Sequence, residues 1–544
     1  EWDFVLPVIQ HLGPLRPGFK GKQGLDDFDA EAIVGAVRHG APLQAVRDYL
    51  AYYDKGVVKR HLEGQVEGFP TIFYAVASNS VEIVRIWVSH GASVSTTHQP
   101  TGVPLLGFAI ANGGNLEGED TTAMVTTLLS LGACPRVIPE ELFRDFCSDI
   151  ADRAAAIGQD NGKECDSEAA WCKNPLYRKK LAQTLNLSQR YVLELATKLK
   201  KPSIRHRQVA RLRNAEAILG VPYFLIGQTI AAGRLVQKLL SYLIMPSPRP
   251  LVLVFAGPSG HGKTELSRKM GYLLNLPLLV VDCTTVNREM ELFGPRHPYT
   301  GAERGSPLNN FLTENAGRRC VVFMDEFEKT TRDIHQALLL PFDNGNPDGP
   351  VGEYQDRRNL NKVDCSNTIW ILATNAVDHT IKAFCEDNPQ ILNQDEPERE
   401  TLTRKLSRTV RADFLDQFDA PVTGRISEFI PFLPFSPSEQ AVVGHKFLLE
   451  LIAKVRPPVK LSKDSKWSGE QLLGNVNLQA KRGAAVCKRL AADYNADLGA
   501  RSMLAAVEHV QELLMDAYLE EEEEIVEGGG MRDYRVDVVG GEVV

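Results

Sequence analysis

Apolar and helical patterns alternate along this chain and divide it into regions of different character. From Val221 onward, short β-rich apolar runs are bounded by Gly, Asp or Asn, and helix-like segments separate them. These runs are Leu251–Ala256, Leu278–Val281, Cys320–Met324 and Thr368–Ala373. Because the runs are continuously apolar, the pattern predicts a parallel sheet covered by helices. After Pro437 the pattern is mainly helical, and it ends in a strand-like Tyr534–Val539.

Two stretches of the N-terminal region echo each other. One begins at Gly68 and ends at His90–Ala92, and the other begins at Gly102 and ends at Leu131–Ala133. The two ends lie further apart than the two starts, which places an insertion in the second unit, at the Gly-rich Asn112–Asp120. Each unit predicts two short helices that share one apolar face, with a glycine in left-handed conformation after the second helix.

A weaker helix pair, Ile33–Gly40 and Leu43–Tyr52, precedes these two units. The spacing and the paired helices resemble an ankyrin-repeat module of about three units. That resemblance implies a concave face that binds another protein. The alternative is an all-helical domain whose similarity to ankyrin repeats arises by chance.

The balance of charge changes sharply between Lys173 and Arg213. Twelve Lys or Arg residues fall in this stretch, against the single acid Glu194. Its middle part, Leu181–Leu199, has helical apolar spacing and predicts one helix. Contact with nucleic acid or an acidic partner is one interpretation. We favour a solvated linker helix, or a helix docked on an acidic surface of its own protein, because no interleaved aromatic residues or base-reading motif accompany the charge.

A glycine-rich stretch follows the first apolar run and opens a helix-like segment. It reads Gly-Pro-Ser-Gly-His-Gly-Lys-Thr and matches the phosphate-binding pattern G-x-x-x-x-G-K-S/T in full. Glycines let backbone N–H groups surround phosphates, Lys263 supplies a positive charge, and the Thr264 hydroxyl is placed for Mg²⁺. We therefore expect ATP and Mg²⁺ as cofactors. The predicted binding residues here are Gly257, Pro258, Ser259, Gly260, His261, Gly262, Lys263, Thr264 and Glu265.

Paired carboxylates and an amide end two further apolar runs. Asp325 and Glu326 follow one of them, and Asn375 follows another. Ligands of open α/β sheets bind at the carboxyl ends of the strands. We expect Asp325, together with Thr264, to hold Mg²⁺, partly through water. Glu326 is predicted to polarise the attacking water, and Asn375 to position it beside the γ-phosphate.

Together the loop, the carboxylates and the terminal amide resemble the AAA+ ATPases, and further motifs resemble their Clp/HSP100 members. The correspondences run in order over more than half of the chain: Leu225–Gln228 with the adenine-contacting I-G-Q, Gly262–Leu266 with G-K-T-E-L, Gly294–Gly301 with the pore loop, Asp325–Lys329 with D-E-I-E-K, Gly424–Glu428 with the arginine-finger segment and Gly499–Ser502 with G-A-R-S. The resemblance implies an ATP-driven protein unfoldase or disaggregase. Ankyrin repeats before one such module are typical of mitochondrial members.

The resemblance also implies roles for residues outside the glycine-rich loop. Ile226 and Gly227 would contact adenine. Arg425 would enter the site of a neighbouring subunit as an arginine finger, which makes hydrolysis depend on a homo-oligomer, by resemblance a hexamer. Arg501 would bind the γ-phosphate. Tyr299 and Thr300 would form a pore loop that grips misfolded or aggregated polypeptide.

The chain departs from the Clp pattern in three places. Ala302 stands where the pore loop has its second aromatic residue, and Pro298 stands in place of a glycine. Both changes predict a weaker or more selective grip on substrate. Asp416–Thr423 is inserted before the Arg425 segment, which puts the reach of the arginine finger in doubt.

The composition restricts the possible binding partners of the chain more than its cellular location. The formal net charge of -8 argues against general nucleic-acid binding. Nine scattered cysteines without a CxxC pair indicate reduced, intracellular thiols. No run approaches the roughly 18 apolar residues of a membrane-spanning helix. The chain begins at Glu1 rather than Met, so we expect that the true N-terminus, with any targeting peptide, is absent. A mitochondrial location rests on the resemblance alone, and the cytoplasm and nucleus stay open.

These expectations combine into a multidomain chain. It has an N-terminal extension (1–26), an α-helical ankyrin-repeat solenoid (27–150), a basic helical linker (151–216), an α/β P-loop AAA+ module whose parallel sheet is flanked by helices (217–436), and a mostly helical small domain (437–544). Two rival functions stay open: a nucleic-acid-remodelling motor that uses the basic linker, and a nucleotide-gated scaffold that uses the ankyrin face.

Overall fold

The computed structural model describes most of the chain and divides it into two compact units. The described residues are 4–10, 13, 15, 28–113, 119–148, 167–245, 249–295, 302–343, 351–393, 398–460 and 471–544. Unit 1 draws on residues 1–201, 445–490 and 507–544, and unit 2 on residues 202–444 and 491–506. The domain boundaries expected from the sequence stay a prediction.

The described α-helices are α1 (Ala30–Arg38), α2 (Leu43–Tyr52), α3 (Lys55–Leu62), α4 (Thr71–Ala77), α5 (Val81–Ser89), α6 (Leu105–Asn112), α7 (Thr122–Ser130), α8 (Pro175–Thr184), α9 (Leu187–Lys198), α10 (Ile204–Leu212), α11 (Val221–Phe224), α12 (Thr229–Ile244), α13 (Lys263–Leu274), α14 (Glu289–Phe293), α15 (Pro307–Glu314), α16 (Arg332–Leu338), α17 (Asp378–Asp387), α18 (Arg399–Thr423), α19 (Pro437–Val455), α20 (Gly483–Ala491) and α21 (Ala500–Leu519).

The described strands are β1 (Gln65–Val66), β2 (Phe69–Pro70), β3 (Leu251–Ala256), β4 (Leu278–Asp282), β5 (Cys320–Asp325), β6 (Glu353–Gln355), β7 (Lys362–Asp364), β8 (Thr368–Thr374), β9 (Glu428–Pro431), β10 (Val476–Ala480), β11 (Arg532–Val536), β12 (Val538–Val539) and β13 (Glu542–Val543). No described helix combines the length and the apolar character that crossing a bilayer requires.

Helix pairs stack on one another in unit 1. Helix α4 packs between α1 and α6, while α5 packs between α2 and α7. The pairs α4–α5 and α6–α7 fall on the two echoing stretches of the sequence. Gly91 and Gly132, which follow the second helix of each pair, have φ angles of 110° and 106°, the left-handed geometry that only glycine adopts at little cost. The helical character of this region is therefore confirmed, and its classification as ankyrin repeats stays a prediction.

The basic segment extends this stack. Helix α8 packs on α6, and α9 packs on α7. The expectation of one helix over Leu181–Leu199 is wrong, because Asn186 forms a capping box with Gln189 and starts α9 as a separate helix. Arg190 on α9 is 4% exposed and donates to the carbonyl of Ser148 at 2.6 Å. Helices α8 and α9 are thus packed into unit 1, not solvated as a linker helix would be.

Unit 2 contains a five-stranded parallel sheet in the order β4-β5-β8-β3-β9. Alternate residues of β3 face opposite sides, so Val252 and Val254 pack into one apolar core while Leu253 and Phe255 pack into another. Burial on both faces explains why this strand is a continuous apolar run. All four strands expected from the apolar runs are present, within one residue at each end. The edge strand β9 was not expected.

The stretch Asp416–Thr423 lies in the last part of α18 and spans a kink between two helical parts, and its being an insertion stays a prediction. The helix is kinked at Asp419, which has φ 63° and ψ 160°, and Pro421 follows two residues later. Proline removes a helical hydrogen bond and clashes with the preceding turn, which is the physical cause of such a kink. At the C-terminus, β11 pairs in parallel with β10, and β11 and β12 cover most of the strand-like segment expected at Tyr534–Val539.

Candidate nucleotide-binding site

The residues expected to bind nucleotide lie at one edge of the unit 2 sheet. Strands β3, β8 and β5 are neighbours and run parallel, so their carboxyl ends lie side by side. Gly257 follows β3, Asn375 follows β8, and Asp325 ends β5. The strand order therefore brings three motifs together that are far apart in sequence. This edge is where open α/β sheets bind their ligands.

The loop after β3 has the backbone geometry of a phosphate cradle. Gly257, Gly260 and Gly262 have φ angles of 147°, 71° and 90°. A side chain at position 257 would not fit, since its Cβ would lie 2.4 Å from the carbonyl oxygen of Phe432. Gly262 is the N-cap of α13 and caps it without a side-chain hydrogen bond. The first N–H groups of α13 are thus left for an anion, as the phosphates of ATP require.

We call the phosphate loop (Gly257–Thr264), Asp325, Glu326 and Asn375 together the cluster. Lys263 is buried at its centre. Its Nζ donates to the carbonyls of Gly257 and Pro258 at 2.6 and 2.7 Å and to Asn375 Oδ1 at 2.8 Å. Burial lowers the pKa of this ammonium to about 8, although the nearby Glu328 and Asp325 carboxylates favour the charged form. The lysine therefore stays mainly protonated near neutral pH and can pair with a phosphate group.

Thr264 and Asp325 supply oxygen ligands next to this lysine. The Thr264 hydroxyl donates to Asp325 Oδ1 at 3.2 Å, and the same oxygen accepts the backbone N–H of Glu326 at 3.2 Å. Burial raises the pKa of Asp325. A hydroxyl and a carboxylate are the oxygen donors that Mg²⁺ prefers. These two residues fit Mg²⁺ bound together with the phosphates of ATP.

Glu326 and Asn375 occupy the positions where hydrolysis chemistry is expected. Glu326 is half-buried and has a left-handed backbone, with φ 52° and ψ 48°. Asn375 is fixed from two sides, because Oδ1 accepts from Lys263 while Nδ2 donates to Glu328 Oε1 at 2.9 Å. Its backbone N–H donates to the same carboxylate at 3.2 Å. Glu328 thereby sets the orientation of the Asn375 amide.

The segment before α12 also lies beside the loop. The Leu225 side chain is 3.0 Å from the point where a Cβ on Gly262 would stand, and Gly227 has φ 71° and faces Phe435. Gln228 joins this segment to the end of β9, since its side chain exchanges two hydrogen bonds with the backbone of Leu433 at 2.8 and 2.9 Å. The segment that contains Ile226 and Gly227 therefore begins beside the phosphate loop.

Arg501 is brought to the site by a backbone contact. The N–H of Ala500 donates to the carbonyl of Gly260 at 2.9 Å. The positive charge of Arg501 is one of the influences that lower the pKa of Lys263, after the larger effect of burial. Arg501 therefore lies near the cluster. It is exposed at the start of α21, so its guanidinium is open to a ligand.

Other expected site residues lie elsewhere or outside the described residues. The Arg425 guanidinium donates to the carbonyl of Pro421 at 2.9 Å and lies 3.5 Å from Asp343, and these contacts do not link it to the cluster. Glu265 is exposed on α13 and pairs with Lys269 at 2.9 Å. Tyr299 and Thr300 lie outside the described residues.

Two residues that contact the cluster were not singled out in the sequence analysis. Glu328 is the third acid of the D-E-F-E-K stretch, so its place two positions after Glu326 was a usable signal. Tyr494 donates to or accepts from His261 at 2.9 Å, and the two residues are 233 positions apart. No local pattern around Tyr494 predicts that contact.

Four of the five strands of the sheet, the phosphate loop, Asp325 and Asn375 lie in a segment that is similar to known ATPases. Residues 249–427 match the AAA domain (Cdc48 subfamily). The chain is 28% identical to the chaperone protein ClpB of Chlamydia muridarum over 198 residues, 35% of this chain and 21% of that protein. It is 30% identical to the Lon protease of Phenylobacterium zucineum over 186 residues, 33% of this chain and 22% of that protein. It is 24% identical to ClpB of Staphylococcus aureus over 228 residues, 40% of this chain and 24% of that protein.

The AAA-domain match over residues 249–427 and the similarity to these relatives indicate an ATPase of the AAA+ class. The matches to ClpB further support the Clp/HSP100 group within that class. The aligned region spans about a fifth to a quarter of the length of these curated relatives.

A first prediction concerns His261, whose ring is buried in the loop with 1% exposure. Burial lowers the pKa of His261 from 6.5 to about 4, and the charges of Lys263 and Lys382 act in the same direction. Below pH 6.5 the unfolded chain binds a proton that the folded chain resists, so the free energy of unfolding falls as the pH drops toward about 4. Between about pH 7.5 and about pH 5 the loss amounts to roughly 2 kcal/mol.

Thermal unfolding of the wild type and of His261→Phe at these two pH values measures this effect. The melting temperature of the wild type is expected to fall further on acidification than that of the variant. His509→Phe, a change at an exposed histidine of α21, is the matched control and is expected to follow the wild type. Equal shifts in the wild type and in His261→Phe contradict the prediction.

Proposed function

We propose that this chain is an ATP-driven protein unfoldase or disaggregase of the Clp/HSP100 type. The observation that carries the proposal is the cluster of Lys263, Asn375 and Asp325 at one sheet edge, within the segment that matches the AAA domain, in a chain that is similar to the chaperone ClpB over 198 residues. In this proposal ATP binds on the loop from Gly257 to Thr264. Mg²⁺ is held by Thr264 and Asp325, and the base contacts Ile226 and Gly227.

The residues of the cluster have distinct proposed roles in hydrolysis. Glu326 takes a proton from the attacking water, and Asn375 orients that water. Arg501 contacts the γ-phosphate from within the same chain. Arg425 acts on the nucleotide of a neighbouring copy, which requires a homo-oligomer, and we propose a hexamer. The metal and the phosphates supply charge compensation when they are bound.

The remaining proposals concern substrates, partners and location. Tyr299 and Thr300 are proposed to grip misfolded or aggregated polypeptide. The helix stack of unit 1 is proposed to be an ankyrin-like surface that binds substrate or another protein. Ankyrin repeats followed by one Clp-type module resemble the mitochondrial caseinolytic peptidase B homologue of animals. A mitochondrial location is proposed on that resemblance only.

A second prediction tests the proposed function directly. The full chain with ATP is expected to restore activity to a heat-aggregated reporter enzyme, and Tyr299→Ala is expected to abolish this recovery while ATP turnover stays within about twofold. The physical reason is that the aromatic ring contacts the extended substrate by packing and takes no part in phosphoryl transfer. Reactivation and phosphate release are the two measurements.

Tyr299→Phe is the matched control, because it keeps the ring and removes only the hydroxyl. It is expected to retain most of the recovery. Full recovery by Tyr299→Ala contradicts the pore-loop role. ATP turnover without any reactivation by the wild type contradicts the unfoldase proposal, and stimulation of that turnover by DNA or RNA would then favour the nucleic-acid motor.

A further inference from the structure

The phosphate loop carries a histidine at one of its variable positions. In the pattern G-x-x-x-x-G-K-S/T the residue before the second glycine is unspecified, and here it is His261. Its ring is 1% exposed and stacks on Phe435, with ring centroids 4.7 Å apart and planes inclined by 23°. None of the roles proposed above for nucleotide binding uses this imidazole.

The hydrogen bonds of His261 define its proton positions. Nδ1 lies 2.7 Å from the carbonyl oxygen of Ser259, and Nε2 lies 2.9 Å from the hydroxyl of Tyr494. A carbonyl oxygen only accepts, so Nδ1 carries the proton. The buried ring is neutral at pH 7, in keeping with its pKa of about 4. Nε2 is therefore the acceptor, and the Tyr494 hydroxyl donates to it.

Tyr494 begins a short segment that leads to Arg501. We call residues 494–501 the strap; all of them belong to unit 2. The strap lies in backbone contact with the phosphate loop, because Ala500 N–H donates to the Gly260 carbonyl at 2.9 Å. The approach is so close that a Cβ on Gly260 would stand 2.1 Å from the Leu498 carbonyl oxygen. Gly499, with φ 56°, meets Ser259 in the same way, since its Cβ would be 2.7 Å from that carbonyl.

A third attachment joins the strap to the helix that follows Asn375. Lys382 on α17 donates to Asp497, and the same ammonium lies 3.5 Å from Asp378. The start of the strap is thus attached to His261, its middle to Lys382 and its end to Gly260. Of these three attachments, only the contact with His261 is a side-chain bond that comes from the phosphate loop itself.

We propose that His261 is a positioning residue for Arg501. By accepting the Tyr494 hydroxyl, it fixes the start of the strap on the phosphate loop and so sets the distance of the Arg501 guanidinium from the γ-phosphate. The proposal rests on the role of Arg501 given above. It adds that the orientation of Arg501 depends on a hydrogen bond made by a loop residue that does not itself touch the phosphate through its side chain.

Tyr494→Phe tests this proposal, because it removes the hydroxyl and leaves the ring against Phe435. In the full chain, kcat for ATP hydrolysis is expected to fall about fivefold, the fold-change that corresponds to one neutral hydrogen bond. The affinity for a fluorescent ADP, which lacks the γ-phosphate, is expected to stay within about twofold. His261→Phe is expected to give a similar fall, and His261→Phe with Tyr494→Phe no further fall.

A double-mutant cycle with Arg501→Ala separates positioning from general support of the fold. If the bond acts through Arg501, Tyr494→Phe has no further effect on kcat once Arg501 is alanine. Additive losses overturn the proposal, as does an unchanged kcat for Tyr494→Phe or for Arg501→Ala alone. Tyr242→Phe is the matched control, since that hydroxyl donates to the Asn367 carbonyl at 3.3 Å, at the opposite end of β8. These outcomes concern ATP turnover, so they are distinct from a failure of protein reactivation.

Discussion

Replacement of Glu326 by Gln is expected to reduce ATP turnover at least about 100-fold while ATP still binds. A positioned general base accelerates proton transfer by about 10²–10⁴-fold, and an amide of the same shape cannot accept the proton. The neighbouring residues that are proposed to hold Mg²⁺ and phosphate keep their contacts, because Asp325 binds Thr264 and the backbone N–H of residue 326 rather than the Glu326 side chain.

Phosphate release and the binding of a fluorescent ATP analogue measure the two parts of this prediction. Glu314→Gln, at the exposed end of α15, is the matched control and is expected to behave as the wild type. Turnover of Glu326→Gln within about tenfold of the wild type would remove Glu326 as the base. If ATP binding is lost as well, the carboxylate has a structural role that the fold does not indicate.

Lys263→Met is expected to weaken ATP binding about 100-fold. When ATP binds, the ammonium is expected to exchange its bonds to the Gly257 and Pro258 carbonyls for two charge-assisted hydrogen bonds with phosphate oxygens. Each of these bonds is worth roughly 1.5 kcal/mol, and about 1.4 kcal/mol corresponds to a factor of ten. Methionine fills the buried space without the charge. The change also leaves the Asn375 Oδ1 without its donor, so turnover is expected to fall further than binding alone accounts for.

Isothermal titration with ATP measures the binding loss, and thermal unfolding shows whether the variant is folded. Lys269→Met on the same helix is the matched control. Lys269 is half exposed and pairs with Glu265 on the surface of α13, and such pairs contribute little. An affinity of Lys263→Met close to that of the wild type would contradict the assignment of this loop as the phosphate site.

Much of unit 2 is predictable because its sheet is parallel and covered on both faces. Strands in such a sheet are continuous apolar runs that end where polar loops begin, which gives them sharp limits in the sequence. Strand β9 could not be predicted in this way. It has four residues, begins with a glutamate and pairs with β3 across a long stretch of chain, so its formation depends on a non-local partner.

Helices α8 and α9 were predicted less well from the sequence than the strands of unit 2. Charge patterning favoured a solvated linker helix or a helix docked on an acidic surface of its own protein, and Leu187, Tyr191 and Leu195 are in fact buried. Lysine and arginine carry long stems, so a helix can be strongly basic and still bury one face. The break at Asn186 was readable as an N-cap, but the regular apolar spacing across it favoured a single helix.

The candidate site also contains some residues that the sequence predicts and others that it does not. Lys263, Thr264 and Asp325 were identified because each lies within a local motif next to a strand end. The contacts between those motifs follow from strand order, which the motifs alone do not specify. Glu328 acts on Asn375, and Tyr494 acts on His261, through packing between distant segments. Such partners have no local signature in a single sequence.

The left-handed backbone of Glu326 has a consequence for engineering this chain. A non-glycine residue in that conformation costs about 1 kcal/mol, which glycine avoids, although the greater freedom of unfolded glycine offsets part of the gain. A library screened for heat resistance alone would therefore enrich Gly at position 326 and discard the carboxylate. Thermostable variants of this chain have to be scored for turnover at the same time, since a glycine at this position lacks the carboxylate that is proposed to act as the base.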